Sequence, residues 1–145
     1  MSGYTVLMMG EAVGKQRPKF NRNTGITYTP HKTVTFESTL KVLAQKELEK
    51  NNGKPFDKAC CVQILVSKKV PDNWSIKKKV QYANQHFAVT VKPDIDNIAK
   101  SVLDALNGVL YTDDKLVSSL HIDKCYSDHD SVMVMCYGIG DKDEE

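Results

Sequence analysis

A short helical pattern between residues 94 and 108 constrains the fold of this 145-residue chain more than any other feature. At 100° per residue, one side of the predicted helix collects seven apolar positions: Ile95, Ile98, Ala99, Val102, Leu103, Ala105 and Leu106. Asp94 stands where an N-cap belongs, and Gly108 stands where a left-handed C-terminal residue belongs. The pattern predicts an amphipathic helix whose apolar side packs into the core.

The opposite side of this helix is charged. Asp96, Lys100 and Asp104 follow one another at intervals of four residues, so they share one face. Taken singly, each has an ordinary explanation, because Asp96 can complement the helix dipole and can pair with Lys100. Asp94 can likewise serve only as the cap.

Five aspartates fall within residues 92–114: Asp94, Asp96, Asp104, Asp113 and Asp114. Carboxylates this close repel one another unless a cation lies among them. No local role is expected for Asp113 and Asp114, which follow a short apolar run at a strand end. The set therefore predicts a site for a divalent cation, beside a lysine that can contact a phosphate. It does not fit a calcium-binding EF-hand loop, since Ile98 occupies a ligand position and the loop glycine is missing.

Charge is distributed unevenly along the chain. Residues 1–91 hold 15 Lys and Arg against 6 Asp and Glu, a net +9, whereas residues 92–145 hold 5 against 12, a net −7. Without the four acidic residues of the tail, the second half is still at −3. A basic half can follow a phosphate backbone while an acidic cluster holds cations against it. We therefore expect a nucleic acid as the partner.

The rest of the chain alternates between strand and helix patterns. Strand-like runs occupy residues 4–9, 59–67, 87–91, 116–125 and 132–137. A helical spacing runs from residue 31 to residue 50, and a shorter exposed helix is expected at residues 74–82. Thr24 and Gly25 predict a hairpin tip between the basic loop 14–22 and residues 26–29.

Size and composition indicate an ordinary globular protein. With 41% apolar and 26% charged residues, the chain matches the common single-domain size, and no stretch approaches the ~20 apolar residues of a membrane span. Residues 1–10 have no basic leader and predict a first strand rather than a signal peptide. We expect a single soluble domain in the cytoplasm.

The four cysteines (Cys60, Cys61, Cys125 and Cys136) lie in apolar, strand-like runs. They form no C-x-x-C pair, and no histidines stand at zinc-finger spacing. Cys60 and Cys61 are adjacent and should point to opposite faces of a strand. The pattern predicts reduced thiols in the core, with neither a disulfide nor a zinc site.

Several segments resemble the RusA-like endodeoxyribonucleases, the Holliday junction resolvases of bacteria and their phages. The resemblance is carried by residues 92–100, with their D-x-D-N-x-x-K pattern, and by residues 103–109 and 113–115. It extends to residues 14–20, 28–30, 117 and 124–126, so it covers nearly the whole chain.

The resemblance implies an α+β fold: one compact domain over residues 1–140, with two main helices packed on a mixed β-sheet, followed by an acidic tail at residues 141–145. It implies a symmetric homodimer in a bacterial cell, of host or phage origin. The implied activity is Mg²⁺-dependent cleavage of branched DNA, with Mn²⁺ as a substitute ion: four-way junctions are resolved by paired symmetric nicks in recombination and repair.

The resemblance also assigns roles to residues. Asp94, Asp96 and Asp114 match metal ligands, and Lys100 matches a lysine needed for cleavage. Asp113 is a further metal candidate, although neighbouring strand residues point to opposite faces. Asp104 matches as well, and it would contact the metal, support the site or pack the helix.

Basic residues in two segments are the candidates for contacts with DNA phosphates: Lys15, Arg17, Lys19, Arg22, Lys77, Lys78 and Lys79. The first three coincide with a family motif, whereas lysine runs such as residues 77–79 are usually only solvated. Trp74 and Phe20 are candidates to stack on unpaired bases at a branch point, although such residues more often pack against their own domain.

Three other functions remain open. The chain could be a nuclease of broader specificity that cuts flaps or forks. It could be a branched-DNA-binding protein whose acidic cluster is structural and does not catalyse cleavage. A small metal-binding protein without a nucleic acid partner is the third alternative, and the basic loop argues against it.

Overall fold

A four-stranded mixed sheet with two helices on one face forms the body of the protein in a computed structural model, which describes residues 3–140. The elements in chain order are β1 (Gly3–Met9), β2 (Lys19–Asn21), β3 (Ile26–Tyr28), α1 (His31–Lys50), β4 (Cys60–Lys69), α2 (Ile76–Asn84), α3 (Ile95–Leu106), a 3₁₀ turn (Asp114–Leu116), β5 (Val117–Ser127) and β6 (Ser131–Gly138). The predicted acidic tail, residues 141–145, lies outside the described residues.

The main sheet has the strand order β1-β6-β4-β5. β4 and β5 are parallel, whereas β6 runs antiparallel to both β1 and β4. A parallel pair needs a crossover connection, and the chain between β4 and β5 contains α2 and α3. β2 and β3 form a separate two-stranded hairpin.

The core lies between the helices and one face of the sheet. α1 contributes Phe36, Leu40 and Ala44, and α3 contributes its apolar side. The strands contribute alternate residues, as β1 shows: Tyr4, Val6 and Met8 are buried, and the residues between them are exposed. The apolar faces of the helices and of the sheet thus meet in one cluster, which includes Val6, Ile64, Val66, Ile98, Val102, Leu106, Val132 and Val134.

A second, smaller apolar cluster lies at the far end of β5. Trp74 and Tyr82 pack against Tyr126, with ring centroids 5.2 Å and 5.8 Å from it. Phe87 packs edge-on against Tyr82. This cluster attaches α2 to the body of the protein and accounts for Trp74.

Most of the predicted elements are confirmed, including the helix over residues 31–50 and the hairpin around Gly25, whose φ is +70°. The strand predicted at residues 87–91 is wrong. Only Ala88 pairs with β5, opposite Cys125. Backbone pairing ends with the hydrogen bond from the N–H of Val89 to the carbonyl of Lys124, and the carbonyl of Val91 accepts a hydrogen bond from the side chain of Lys124 instead.

The cysteines are free thiols, and the predicted core position is confirmed for Cys60, Cys61 and Cys136. Cys125 is only half-buried. Burial raises the pKa of the Cys60 and Cys136 thiols. Among residues 3–140, no helix has the length and apolar character to cross a membrane.

Candidate active site and nucleic-acid interface

Two open clefts lie beside α3. The first, here called the basic cleft, has a volume of about 520 Å³ and contains the lysines Lys15, Lys32, Lys68, Lys92 and Lys124 together with Glu11, Asp94 and Asp130. The second, here called the acidic cleft, has a volume of about 500 Å³ and lies between α3 and β5. Its polar residues are Asp96, Lys100, Asp104 and Asp114, and its apolar wall includes Leu103, Leu120 and Ile122.

The acidic cleft contains the helix face that the sequence predicts. Asp96, Lys100 and Asp104 are all exposed and line it together, because their spacing of four residues places them on one side of α3. The cleft therefore presents one ammonium group between carboxylates that solvent can reach.

The segment after α3 returns the chain to this cleft and delivers Asp114. Gly108 has a φ of +80°, which favours glycine, and it ends the helix where predicted. The fully buried Tyr111 donates a hydrogen bond from its hydroxyl to the carbonyl oxygen of Leu103, at 2.7 Å. This bond ties residues 109–113 to α3, so that Asp114 at the start of the 3₁₀ turn lines the same cleft as Asp96.

Asp113 has a local role, contrary to the expectation from sequence. It is the N-cap of the 3₁₀ turn, and its carboxylate accepts a hydrogen bond from the backbone N–H of Lys115 at 3.0 Å. That hydrogen bond is the main cause that lowers the pKa of Asp113. The expectation was wrong because the strand begins only at Val117, and the preceding turn needs a cap.

Asp94 lies apart from the other candidate ligands. It occupies the N-cap position of α3, as predicted, but its side chain makes no capping hydrogen bond in the structure of residues 3–140. Asp94 lines the basic cleft, whereas Asp96 and Asp114 line the acidic cleft. The structure thus brings together two of the three predicted aspartate ligands.

Within the described part of the chain, no three Asp, Glu, His or Cys side chains lie close enough to hold one metal ion. Mg²⁺ is commonly bound by only one or two carboxylates, with waters and substrate phosphates completing its shell. The oxygen donors of Asp96 and Asp114 in one open cleft fit that chemistry. A site of this kind takes its remaining ligands from solvent and DNA.

Lys15, predicted to contact DNA, is engaged within the protein. Its ammonium lies 2.7 Å from a carboxylate oxygen of Glu37 on α1 and 3.2 Å from one of Asp104 on α3. The hydrogen bond to Glu37 is the main cause that raises the pKa of Lys15, against the opposing effect of burial. The backbone N–H of Lys15 also donates to the carbonyl of Asn97 at 2.8 Å. These contacts fix the loop before the hairpin against α3.

The other predicted DNA contacts lie in two places. Arg17, Lys19 and Arg22 are exposed on or beside the hairpin. Lys77 is exposed on α2, and Lys79 is half-buried there. Lys78 lies with its ammonium 3.9 Å from the ring centroid of Trp74, a cation–π contact that covers the ring.

Four lysines of the basic cleft were not among the predicted DNA contacts: Lys32, Lys68, Lys92 and Lys124. They lie on α1, on β4, before α3 and on β5, so only the tertiary fold brings them together. A signal existed for Lys68, since strand alternation places it on the same face as Val66 at the end of β4. Lys92 is the first residue of the segment 92–100 that carries the resemblance.

Comparison with known proteins gives two matches. The family model described as Endodeoxyribonuclease RusA matches residues 9–137, which include both clefts and the hairpin. A protein of Bacillus subtilis (strain 168), named uncharacterized protein YqaN, is 33% identical to this chain over 129 residues, which cover 87% of the chain and 89% of that relative. The chain belongs to the RusA endodeoxyribonuclease family.

Proposed function

We propose that this protein is a Mg²⁺-dependent endonuclease that resolves four-way DNA junctions by paired symmetric nicks. RusA-family proteins are endodeoxyribonucleases that act on branched DNA junctions. The observation that supports the proposal for this chain is the acidic cleft, which Asp96, Asp114 and Lys100 line together.

Asp96 and Asp114 are the residues proposed to hold the ion, with Asp94 as a further candidate that would reach it from the start of the same helix. The chemistry that Mg²⁺ supplies when bound is neutralisation of phosphate charge and a lowered pKa for a nearby water. Mn²⁺ has similar ligand preferences and is proposed as a substitute.

Lys100 is proposed to act on the phosphate itself. Its compact ammonium lies in the same cleft as the two carboxylates and can approach a phosphate oxygen. A fixed positive charge at this position stabilises the negative charge that builds on the phosphate during hydrolysis.

The basic cleft is proposed to hold the DNA backbone next to the cut. Lys32, Lys68 and Lys92 come from three separate segments and line one open cleft, which borders the acidic cleft where Lys15 pairs with Asp104. Phosphates bound there would place the adjoining strand across α3.

Paired nicks need two active sites. A four-way junction has approximate two-fold symmetry, so we propose a two-fold homodimer with one acidic cleft per subunit. Such a dimer would place the two cuts at equivalent positions on opposing strands.

A second candidate is a branched-DNA-binding protein that does not cut. It is favoured by the structural roles of two carboxylates, because Asp104 pairs with Lys15 and Asp113 caps the 3₁₀ turn. In that case DNA binding would be independent of Mg²⁺, and no product would form.

The test incubates the purified protein with a labelled, mobile four-way junction and with a matched linear duplex, in Mg²⁺ and in EDTA. The double variant Asp96→Asn, Asp114→Asn removes the proposed ligands, and Asp94→Asn is tested separately. Asp123→Asn is the matched control, since Asp123 is an exposed aspartate on β5 that lines neither cleft.

Symmetric nicks on the junction alone, lost in EDTA and in the double variant but kept in the control, would support the resolvase. Comparable cutting of flaps and forks would indicate a broader nuclease. Tight junction binding without cleavage in any divalent ion would mean that the acidic cleft is structural.

A further inference from the structure

The β2–β3 hairpin projects from the body of the protein. It forms a sheet of its own, apart from the four-stranded sheet, and every residue from 16 to 28 is exposed. Isolated two-stranded hairpins are only marginally stable in water. Here the tip is supported locally, because the side chain of Asn21 accepts hydrogen bonds from the backbone N–H groups of Asn23 and Thr24, at 2.9 Å and 3.3 Å.

Three large apolar side chains of this hairpin are exposed to solvent: Phe20 is 63% exposed, Ile26 62% and Tyr28 47%. Cross-strand partners share a face, and the register pairs Lys19 with Tyr28, Phe20 with Thr27 and Asn21 with Ile26. Phe20 therefore lies on one face of the ribbon, and Tyr28 and Ile26 lie on the other. The hairpin presents an apolar surface on each side.

The residues on either side of the hairpin line the basic cleft. Gln16 before it and Lys32 after it line that cleft, together with Asp94. The preceding loop is fixed by the contacts of Lys15 with α3 and α1. A strand of three residues is about 10 Å long, so the paired part of the hairpin has roughly that length.

The charge around the hairpin suits nucleic acid. Residues 12–36 contain five Lys and Arg and no Asp or Glu. Arg17, Lys19 and Arg22 are exposed and form no ion pair within residues 3–140. Cations beside exposed aromatic rings form the combination that binds unstacked bases and their flanking phosphates.

We propose that the hairpin is a wedge that enters a DNA branch point, with Phe20 against the terminal bases of one arm and Tyr28 against those of the neighbouring arm. A branch point interrupts base stacking, and a thin ribbon with an apolar group on each face fits between two helix ends. Linear duplex has no such gap, so it would meet only the cations. This inference rests on the proposed function, because it assumes a branched DNA substrate, and it assigns structure selectivity to the hairpin rather than to the acidic cleft.

The test measures binding in EDTA, so that its result does not depend on cleavage. Affinities for a four-way junction and for a matched linear duplex are compared in the wild type and in the Phe20→Ala, Tyr28→Ala and Phe20→Trp variants. Ile76→Ala is the control, since Ile76 is an 80% exposed apolar residue on α2, away from the hairpin. A 2-aminopurine base at the branch point reports unstacking through increased fluorescence.

We expect Phe20→Ala and Tyr28→Ala each to weaken junction binding about tenfold, the size of one lost base–aromatic stack. In both alanine variants, duplex binding should stay unchanged and the fluorescence increase should be lost. The Phe20→Trp variant should keep the junction affinity and the fluorescence increase of the wild type. Ile76→Ala should behave as the wild type.

Four results would overturn the inference: equal loss of junction and duplex binding in the alanine variants, unchanged junction binding, a change in oligomeric state on Phe20→Ala, or a wild type that does not prefer junctions. If the wild type does not prefer junctions but cleaves them with Mg²⁺, the wedge is overturned and the proposed nuclease function still holds. If the protein binds junctions selectively but does not cleave them, the proposed nuclease function is overturned and the wedge proposal still holds.

Discussion

The side chain of Lys124, on β5, forms a hydrogen bond with the backbone of Pro93. Its ammonium donates a hydrogen bond to the carbonyl oxygen of Pro93 and a second one to that of Val91, each at 2.9 Å. Lys124 lies on β5, and Pro93 immediately precedes Asp94 at the start of α3. The two bonds thus connect the sheet to the point where the helix with the candidate ligands begins.

We predict that Lys124→Met destabilises the protein by about 1–3 kcal/mol, since hydrogen bonds to a charged group are lost and two carbonyls lose their donor. The free energy of unfolding in urea measures the change. Junction cleavage should fall further than the folded fraction does, because Asp94 is no longer positioned. Lys41→Met, at an exposed site on α1, is the control and should change neither quantity. An unchanged stability for Lys124→Met would show that solvent replaces these bonds without cost.

Lys100→Ala should separate binding from cleavage. The ammonium lies among carboxylates in the acidic cleft, so its removal takes away charge stabilisation at the phosphate and leaves the basic cleft intact. We expect cleavage of the junction to fall about 100-fold or more, with little change in junction affinity. Lys115→Ala is the nearby control, since Lys115 is exposed and does not line the cleft. Full cleavage by Lys100→Ala would remove this lysine from the mechanism.

The ion pairs of Lys15 predict an effect on stability. Lys15→Met leaves Glu37 and Asp104 without their shared cation, and we expect a loss of about 1 kcal/mol in the free energy of unfolding at pH 7. The pKa of Lys15 is raised above its ordinary value of 10.5, so this stabilisation is present below that pH and is lost as the pH rises through the folded value. Urea titrations at pH 7 and above pH 11 should therefore show a difference that shrinks at the higher pH.

Arg17→Met is the comparison for Lys15, because Arg17 is exposed and forms no ion pair among the described residues. It should leave stability unchanged and weaken DNA binding. The reverse result, with Lys15→Met weakening DNA binding at full stability, would restore Lys15 as a phosphate contact.

Asp113 and Asp114 should respond differently to substitution. A serine at position 113 can still accept the hydrogen bond from Lys115, so Asp113→Ser should keep the turn and the cleavage activity. Asp114→Asn should keep the fold and lose cleavage, since a neutral amide is a poor Mg²⁺ ligand. Thermal unfolding and junction cleavage are measured on both. Loss of cleavage in a well-folded Asp113→Ser variant would identify Asp113 as a ligand after all.

Local patterns predicted the elements that depend on neighbouring residues. α3 was placed correctly because the apolar period, the capping position of Asp94 and the glycine turn at Gly108 agree. The face shared by Asp96, Lys100 and Asp104 follows from the same period. The prediction of a strand at residues 87–91 was wrong because backbone pairing with β5 ends at Val89, after which the side chain of Lys124 binds the carbonyl of Val91.

The parts of the site that were not predicted depend on distant residues. The ion pair of Lys15 with Glu37 joins residues that are 22 positions apart in the sequence, and no local pattern indicates it. The basic cleft joins Lys32 on α1 and Lys68 on β4 only because the tertiary fold brings these two distant positions to one place. Asp114 likewise reaches the cleft of Asp96 only because residues 109–113 return along α3, where Tyr111 bonds to the carbonyl of Leu103.

The burial of the cysteines predicts how their thiols react in the native protein. Burial raises the pKa of the Cys60, Cys125 and Cys136 thiols, which lowers the reactive thiolate fraction, and only Cys125 is half-buried. With a thiol reagent at pH 8, we expect one slowly reacting thiol in the native protein and all four in denaturant. Cys125→Ser should remove the native reaction, because Cys60, Cys61 and Cys136 are then protected until the sheet opens. Fast labelling of Cys136 in the native protein would contradict this packing, since that thiol lies on β6 between β1 and β4 and becomes accessible only when those strands separate.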